Sequence, residues 1–415
     1  MSRTPAVGFS SFRRKARRAF EFHDLIYLVC PAGFPNYGDE LIAEAWLRYF
    51  ARHRPLATVV VDCSRVGNAN LVLRQANPRA VFVDTLWELT RYAHSAPDNP
   101  EVDPERPWEW VAKAASTYGP APLSSLGVEM LLRAKTIHLV GGGYVNDLWS
   151  EHIGLVAAVA EVSRVTGARA VATGQGLMPP LEGEARERLV ADAARFEVFD
   201  VRDRPSLDLL GDAPGAVQNG DDAWLSPRIQ APEHSVKQTG EVILCAQSDL
   251  TEDFRRGGLR GAEALADLLT ATLDEWEVPG NRVTVVEAIP GLDLAIPDLM
   301  GSRLEGARRL TFHDIWRDGL PSGRGGTWLS TRFHPHLLAA AVGDSGVAIV
   351  PKPDYYDTKH VSLTAAGSHW TLLTDGEQVP EWPTDGGFAH LAAGAAMERK
   401  QNLAKDLYPG GVHVH

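Results

Sequence analysis

The sequence predicts an α/β protein of two doubly wound domains facing each other across a cleft. Three observations carry this. Short apolar runs of strand length alternate with amphipathic runs at helical spacing along most of the chain. Glycines and charged residues gather just after the strand-like runs, where open α/β sheets hold their ligands. A polar, aperiodic stretch with two prolines, 226–240 (SPRIQAPEHSVKQTG), separates one such series from the next. At roughly 150 residues per domain, 415 residues suffice for two or three domains with substantial cores.

Taken in order, the first strand covers 25–30 and ends in a turn-rich loop, 31–39 (PAGFPNYGD). Residues 40–50 (ELIAEAWLRYF) carry Leu41, Ala45, Trp46, Leu47 and Phe50 at helical spacing. Asp39 and Glu40 lie in that helix's first turn, where negative charge complements the dipole. Strands follow at 58–62 and 80–84. Residues 86–118, rich in aromatics and prolines, read as an insertion with some helix, extending to about 125. The strand 136–140 runs into Gly141, Gly142 and Gly143, and 148–166 is a long amphipathic helix. Next come a strand at 169–173, the stretch 174–180 (GQGLMPP), a helix at 183–196, and a strand at 197–201 that ends in VRDRPS.

After the linker the alternation restarts with a strand at 242–246, a helix at 262–276 and a strand at 282–289. Two short helical runs lead to 328–363, which opens as a strand. Arg332 and His334 stand at its end, a helix covers 337–342 and a further strand 347–350. A loop with Lys352, Asp354, Tyr355, Tyr356, Asp357 and Lys359 follows, then a strand at 370–374. The predicted organisation is a Rossmann-like domain over 1–225, a linker at 226–240, and a second Rossmann-like domain over 241–387. The segment 388–415 is a C-terminal helix and tail that could pack back on the first domain.

Composition excludes several classes. Hydrophobic residues at 44% and charged residues at 23% are those of a globular chain. A net charge of −12 lacks the basic footprint of a nucleic-acid binder. Cys30, Cys63 and Cys245 lie far apart without CxxC spacing and read as buried thiols in a reducing compartment. No run approaches the ~18 apolar residues of a membrane span. The basic cluster Arg13, Arg14, Lys15, Arg17 and Arg18 reads as a basic arm leading into the first strand rather than a signal peptide, because Glu21 and Asp24 intervene and the following apolar run is short.

Several constellations carry chemistry. Arg332, His334 and Lys359 are expected to converge at a sheet's carboxyl edge, and two cations beside an imidazole suit a small, multiply anionic substrate. Gly141–Gly143 let backbone N–H groups approach an anion, although neither GxGxxG nor GxxxxGK[ST] is present. Gln175 offers a side-chain amide where a sugar could bind. Arg202 and Arg204 flank Asp203 at a strand end, and Asp221 and Asp222 could hold hydroxyls, act as a base, or cap a turn. His334 and His336 are two apart, not the spacing of a helical zinc pair, so no metal site is expected. His138, inside an apolar strand, reads as a core histidine, and His413 and His415, at the C-terminus, are expected to be disordered.

In their order these pieces resemble one family, the polysaccharide pyruvyl transferases. The resemblance lies in NYGDELI (36–42), GGGYVND (141–147), GQGL (174–177), VRDRPS (201–206) and DDAWL (221–225). The last pair is STRFHPHLLAAA (330–341) with YDTK (356–359). The chain departs from the family pattern at Phe34 and Pro35, at Thr331, at Thr358, and at Asp344 and Ser345.

The resemblance implies a GT-B-like fold and a transferase that moves pyruvate from phosphoenolpyruvate onto two hydroxyls of a sugar as a ketal. The acceptor would be a cell-surface polysaccharide or its lipid-linked precursor. No cofactor and no metal are implied. Arg332, Lys359, Arg202, Gly142 and Gly143 would bind the donor. His334, Arg202 and Asp222 would be catalytic, with His334 as general acid and Asp222 or Asp39 taking a hydroxyl proton. Asn36, Asp39, Gln175 and Asp147 would face the acceptor. The implied setting is the cytoplasm, up to the inner face of the membrane, with at most peripheral membrane contact and no nucleic acid. Two alternatives stay open at this point: a GT-B glycosyltransferase using a nucleotide sugar, and a relative that binds a saccharide without catalysis.

Overall fold

Two parallel sheets organise the chain. The protein's structure, a computed structural model, describes residues 24–95, 98–229, 241–352 and 358–409. The first sheet contains β1 (Leu25–Val29), β2 (Thr58–Asp62), β3 (Val81–Val83), β4 (Thr136–Leu139), β5 (Arg169–Gln175), β6 (Val198–Val201) and β7 (Ala216–Gln218). Their order is β3-β2-β1-β4-β5-β6-β7, all parallel. The helices joining them are α1 (Tyr37–His53), α2 (Val66–Leu73), α3 (Thr85–Ser95), α4 (Pro107–Ser116), α5 (Ser125–Leu132), α6 (Ile153–Thr166), α7 (Gly183–Ala193) and α8 (Arg204–Leu210).

The second sheet repeats the plan with β8 (Val242–Cys245), a hairpin of β9 (Arg255–Arg256) and β10 (Leu259–Arg260), then β11 (Val283–Val286), β12 (Arg308–Leu310), β13 (Thr327–Ser330), β14 (Ser345–Ile349) and β15 (Thr371–Leu373). Its order is β12-β11-β8-β13-β14-β15, again parallel. Its helices are α9 (Gly261–Glu275), α10 (Ala295–Met300), α11 (Phe312–Asp318), α12 (Phe333–Ala341) and α13 (Thr358–Ala365), and α14 (Ala392–Leu407) closes the fold. Strand order reverses between β1 and β4 and between β8 and β13. Those two switch points are where doubly wound sheets open a ligand crevice.

The central strands are apolar on both faces because helices cover both faces. In β1 the alternation divides the residues cleanly. Leu25, Tyr27 and Val29 enter a core with α3, α4 and α6, while Ile26 and Leu28 enter another with Trp46, Leu47 and Phe50 of α1. That second core continues into the other domain through Ile243, Cys245, Trp328 and Leu337. The Tyr37 N–H also donates to the Ala288 carbonyl at 3.0 Å, so α1 begins on the second domain's backbone.

The predicted strands and helices are present, with ends moved by a few residues. The exceptions have physical causes. β7, β12 and the hairpin are short and partly exposed, with sequences such as AVQ and RRL that offer no apolar run. The region read as an insertion at about 86–125 is the β3-to-β4 crossover, and its helices α3 and α4 bury Leu86, Leu89, Trp110 and Val111 in the first core. The helix expected over 148–166 starts at Ile153, after a 3-10 turn (Asp147–His152) kinked at Trp149.

Of the linker, residues 226–229 are anchored: Ile229 is buried, and Arg228 pairs with Glu44 at 2.6 Å and donates to the Trp316 carbonyl at 2.8 Å. Residues 230–240 lie outside the described residues, as do the basic cluster 13–18, the loop 353–357 with its Tyr356 and Asp357, and His413 and His415.

The C-terminal helix does pack back on the first domain. Lys400 of α14 is fully buried, with Nζ 2.6 Å from Asp200 and 2.9 Å from Asp222. Burial disfavours its charge, but the two carboxylates more than offset this and raise its pKa. Tyr408 hydroxyl meets His138 Nδ1 at 2.9 Å, and His138 Nε2 meets Thr173 Oγ1 at 2.8 Å, which makes His138 a satisfied core histidine. All three cysteines are free and buried. Among the described residues no helix is long and apolar enough to cross a membrane.

Candidate active site

A cleft of about 510 Å³ opens between the carboxyl edges of the two sheets, beside both switch points. From the first domain it receives Asn36, Asp39, Gly143 and Arg202, and from the second Arg332, His334 and Lys359. The structure thus gathers residues that lie more than 300 positions apart in sequence.

Arg202 follows β6. Asp203 N-caps α8, accepting from the Ser206 N–H at 2.9 Å, while Arg204 turns outward to pair with Asp208. Only the first arginine of VRDRPS therefore enters the cleft. Its guanidinium lies 4.7 Å over the Phe333 ring, with Nη1 3.5 Å from Asp221 and Nε 3.5 Å from Asp203. Gly143 and Gly176 leave it room. A Cβ at Gly143 would fall 2.8 Å from Nη2, and one at Gly176 would fall 2.5 Å from Nε. Two of the glycines in GGG and GQG thus house an arginine.

His334 sits in the first turn of α12, above the first turn of α1. A Cβ on Gly38 would lie 1.7 Å from its Nδ1, so the glycine of NYGD is what allows the imidazole to approach. Nε2 lies 3.5 Å from Asp221 Oδ1. Asp221 thereby touches Arg202 from its own domain and His334 from the other. Burial opposes ionisation of Asp221, yet His334 and Arg202 overcome it and hold the carboxyl well below the ordinary range. Asn36 N-caps α1 through the Gly38 N–H and donates to Asp39 Oδ2 at 2.8 Å. Burial raises the pKa of Asp39, against the pull of His334 and Lys359.

Arg332 is fixed by two carboxylates, Asp293 at 2.5 Å and Asp249 at 2.8 Å. Asp293 is itself held by the N–H groups of Ala288 and Ile289, each at 2.9 Å. Lys359 opens α13. Burial, and then the positive charges of Arg202 and Arg332, push its pKa well below the ordinary lysine range while Asp39 pulls the other way. The cleft thus concentrates cations that an anion would relieve.

Four expected site residues are elsewhere. Asp222 is fully buried behind the cleft, where it accepts from Trp46 Nε1 at 2.8 Å and the Gly141 N–H at 3.1 Å and pairs with Lys400. Gln175 is also fully buried, its amide donating to the carbonyls of Leu139, Val140 and Thr173. Gly142 continues the ladder: its carbonyl accepts from the Gly176 N–H at 2.9 Å and its N–H points to the Gly174 carbonyl. Asp147 is exposed outside the cleft, and the buried neighbour Asn146 caps the turn instead.

Sequence reasoning did not single out Asp249 and Asp293, which orient Arg332, nor the wall formed by α3 and the 147–152 turn. That wall contributes Trp87, Arg91, His94, Glu151 and His152. Nothing in local spacing marks these residues, since each reaches the cleft through tertiary packing. Between Asp221 and Asp222 only side-chain direction decides. Two departures from the family pattern have structural partners. Thr331 accepts from the Gln247 N–H at 2.9 Å, and Asp344 accepts from the Gly323 N–H at 2.8 Å and from Trp328 Nε1 at 3.1 Å.

No curated protein matches this sequence. Among solved structures, a protein described as a UDP-N-acetylglucosamine 2-epimerase from Listeria monocytogenes is similar over 92% of this chain and 88% of its own, with a TM-score of 0.51 and 9% identity. The UDP-GlcNAc 2-epimerase from Neisseria meningitidis covers 93% and 92%, with a TM-score of 0.49 and 10% identity. At such identities the likeness concerns the fold, which is that of two-domain GT-B enzymes. The profile of one family, described as polysaccharide pyruvyl transferase, matches residues 36–267. That span begins at the Asn36 cap, covers more than half of the chain, and includes Asp39, Gly143, Arg202 and Asp221. A match over that share of the chain shows that it belongs to the polysaccharide pyruvyl transferase family.

Proposed function

We propose that the protein transfers pyruvate from phosphoenolpyruvate to a saccharide, forming a cyclic ketal across two hydroxyls. The observation that supports this reading best is the meeting of Arg202, Arg332, Lys359 and His334 in one cleft. Phosphoenolpyruvate carries a carboxylate and a phosphate on one three-carbon unit, and three cations at one site suit that density of negative charge.

In this reading His334, protonated, delivers its proton to the methylene carbon. Positive charge develops on the central carbon beside the cationic clamp, and the Asp221 carboxylate supports the imidazolium until the proton leaves. A sugar hydroxyl then bonds to the central carbon, and Asp39, whose raised pKa makes it a better base than an exposed carboxylate, takes its proton. The C–O bond to phosphate breaks, phosphate departs with the electron pair, and the second hydroxyl closes the ring. Two protons leave the acceptor. One replaces the proton given to carbon and the other accompanies phosphate. A phosphoenolpyruvate donor sets the reaction in the cytoplasm, at the inner face of the membrane when the acceptor is lipid-linked.

The test incubates the protein with phosphoenolpyruvate and a panel of methyl glycosides and polyprenyl-linked saccharides. Phosphate release is followed together with a product mass increased by one pyruvyl unit. Transfer of a sugar from a nucleotide sugar under the same conditions would favour a glycosyltransferase. Saccharide binding without phosphoenolpyruvate binding or turnover would point to a non-catalytic protein.

A further inference from the structure

Ketal formation, the reading proposed above on which this inference rests, removes a proton from each of two acceptor hydroxyls. Asp39, which interacts with His334 and Lys359, serves one. A further wall of the cleft is built by α3 and the 147–152 turn, and it holds an imidazole that the reaction as described does not use. His152 Nδ1 lies 2.8 Å from the Tyr144 carbonyl oxygen. A carbonyl only accepts, so Nδ1 carries the hydrogen and the lone pair of the neutral ring is on Nε2. The ring is held edge-on against Trp87, with centroids 5.0 Å apart. It keeps 16% of its side-chain surface accessible and lines the cleft.

The charged groups around it are few. Glu151, on the same turn, lies 3.9 Å from Nε2. His94 faces it from α3, where Glu88 and Arg91 also line the cleft but pair with each other. Burial pushes the His152 imidazole below its ordinary range, with His94 adding to that and the Tyr144 carbonyl and Glu151 opposing it. Its surroundings therefore favour the neutral ring, with a carboxylate close enough to support the imidazolium once it forms.

We propose that His152 is a second proton acceptor of the reaction, taking the proton of one acceptor hydroxyl on Nε2 while that hydroxyl oxygen bonds to the pyruvyl carbon. The O–H bond breaks, its electrons form the new C–O bond, and the proton moves to Nε2. The acceptor sugar accordingly lies against the wall that α3 and the 147–152 turn form together. Charge is balanced when the imidazolium returns its proton to the departing phosphate or to solvent.

The full-length enzyme is assayed with phosphoenolpyruvate and the methyl glycoside that the wild type pyruvylates best, across pH, with donor affinity measured by calorimetry. In His152→Asn the amide nitrogen still donates to the Tyr144 carbonyl, but no basic nitrogen remains. The expected result is a kcat lower by about 10²-fold or more, an unchanged donor Kd, and loss of the acidic limb of the kcat profile. Glu151→Gln removes the carboxylate that favours the imidazolium, so the acidic limb moves to lower pH. Wild-type turnover in His152→Asn overturns the assignment. Should that variant fail to fold, an unshifted limb in Glu151→Gln overturns it alone. A wild type that binds phosphoenolpyruvate but pyruvylates no acceptor sinks the donor chemistry itself, whereas an active wild type with a normal His152→Asn sinks only the role of His152.

Discussion

Gly38→Ala tests the role of His334 without altering it. The substitution adds one methyl group in the first turn of α1, at helical backbone angles that alanine prefers to glycine by about 0.5–1 kcal/mol. That methyl would stand 1.7 Å from His334 Nδ1, about half an ordinary van der Waals separation. Either the imidazole retreats from the cleft by well over an ångström or α1 shifts away from α12. A displacement of about 1 Å at a reacting group costs on the order of 10²-fold in rate, or about 2.7 kcal/mol. The expected outcome is an unfolding midpoint close to wild type, donor binding weakened only modestly, and kcat reduced by about 10² to 10³. Circular dichroism melts, donor calorimetry and steady-state kinetics separate the three quantities. A folded Gly38→Ala protein with kcat within about threefold of wild type would refute the placement of His334 as the proton donor.

Arg202→Ala should weaken phosphoenolpyruvate binding by about 10- to 100-fold through loss of charge-assisted hydrogen bonds, and an unaltered Kd by calorimetry would count against its donor role. Asp222→Asn removes one of the two carboxylates on the buried Lys400, so it should lower stability by about 3 kcal/mol and depress the unfolding midpoint. A normal midpoint with abolished turnover would return Asp222 to the chemistry. Lys359 is held well below the ordinary lysine range, and an anionic donor that relieves its repulsion with Arg202 and Arg332 should raise its pKa. Calorimetry in buffers of different ionisation enthalpy should therefore register proton uptake on binding. Donor affinity should fall as pH rises through the donor-bound pKa of Lys359, and Lys359→Met should abolish the uptake.

The legible part of the site follows from spacing. Arg202, Arg332, His334 and Lys359 stand at strand ends or helix starts, where a parallel sheet must present its loops, and their place could be read before their neighbours were known. Asp39 was legible for a similar reason, as a first-turn carboxylate, whereas Asn36 was marked only by the family resemblance. Gln175 and Asp222 show the limit of that reasoning. Both follow strands or turns among glycines, as ligand-binding residues do, yet each is turned into the interior to satisfy buried backbone groups or Lys400. Asp222 could not be told from Asp221 because adjacent residues point in opposite directions, and direction is fixed by packing.

What the sequence by itself determined is the fold class, the near-complete element order, and the cationic half of the cleft. Apolar periodicity and turn chemistry are local properties and survive in one dimension. The tertiary structure alone decided three things. It buried Lys400 of α14 between Asp200 and Asp222 of the first domain. It laid His334 on Gly38, so that a glycine and a histidine nearly 300 residues apart became one device. It also turned the β3-to-β4 crossover into the wall that carries Trp87 and faces His152. Each is a contact between elements distant in sequence, and no local propensity encodes which distant surface a buried side chain will meet.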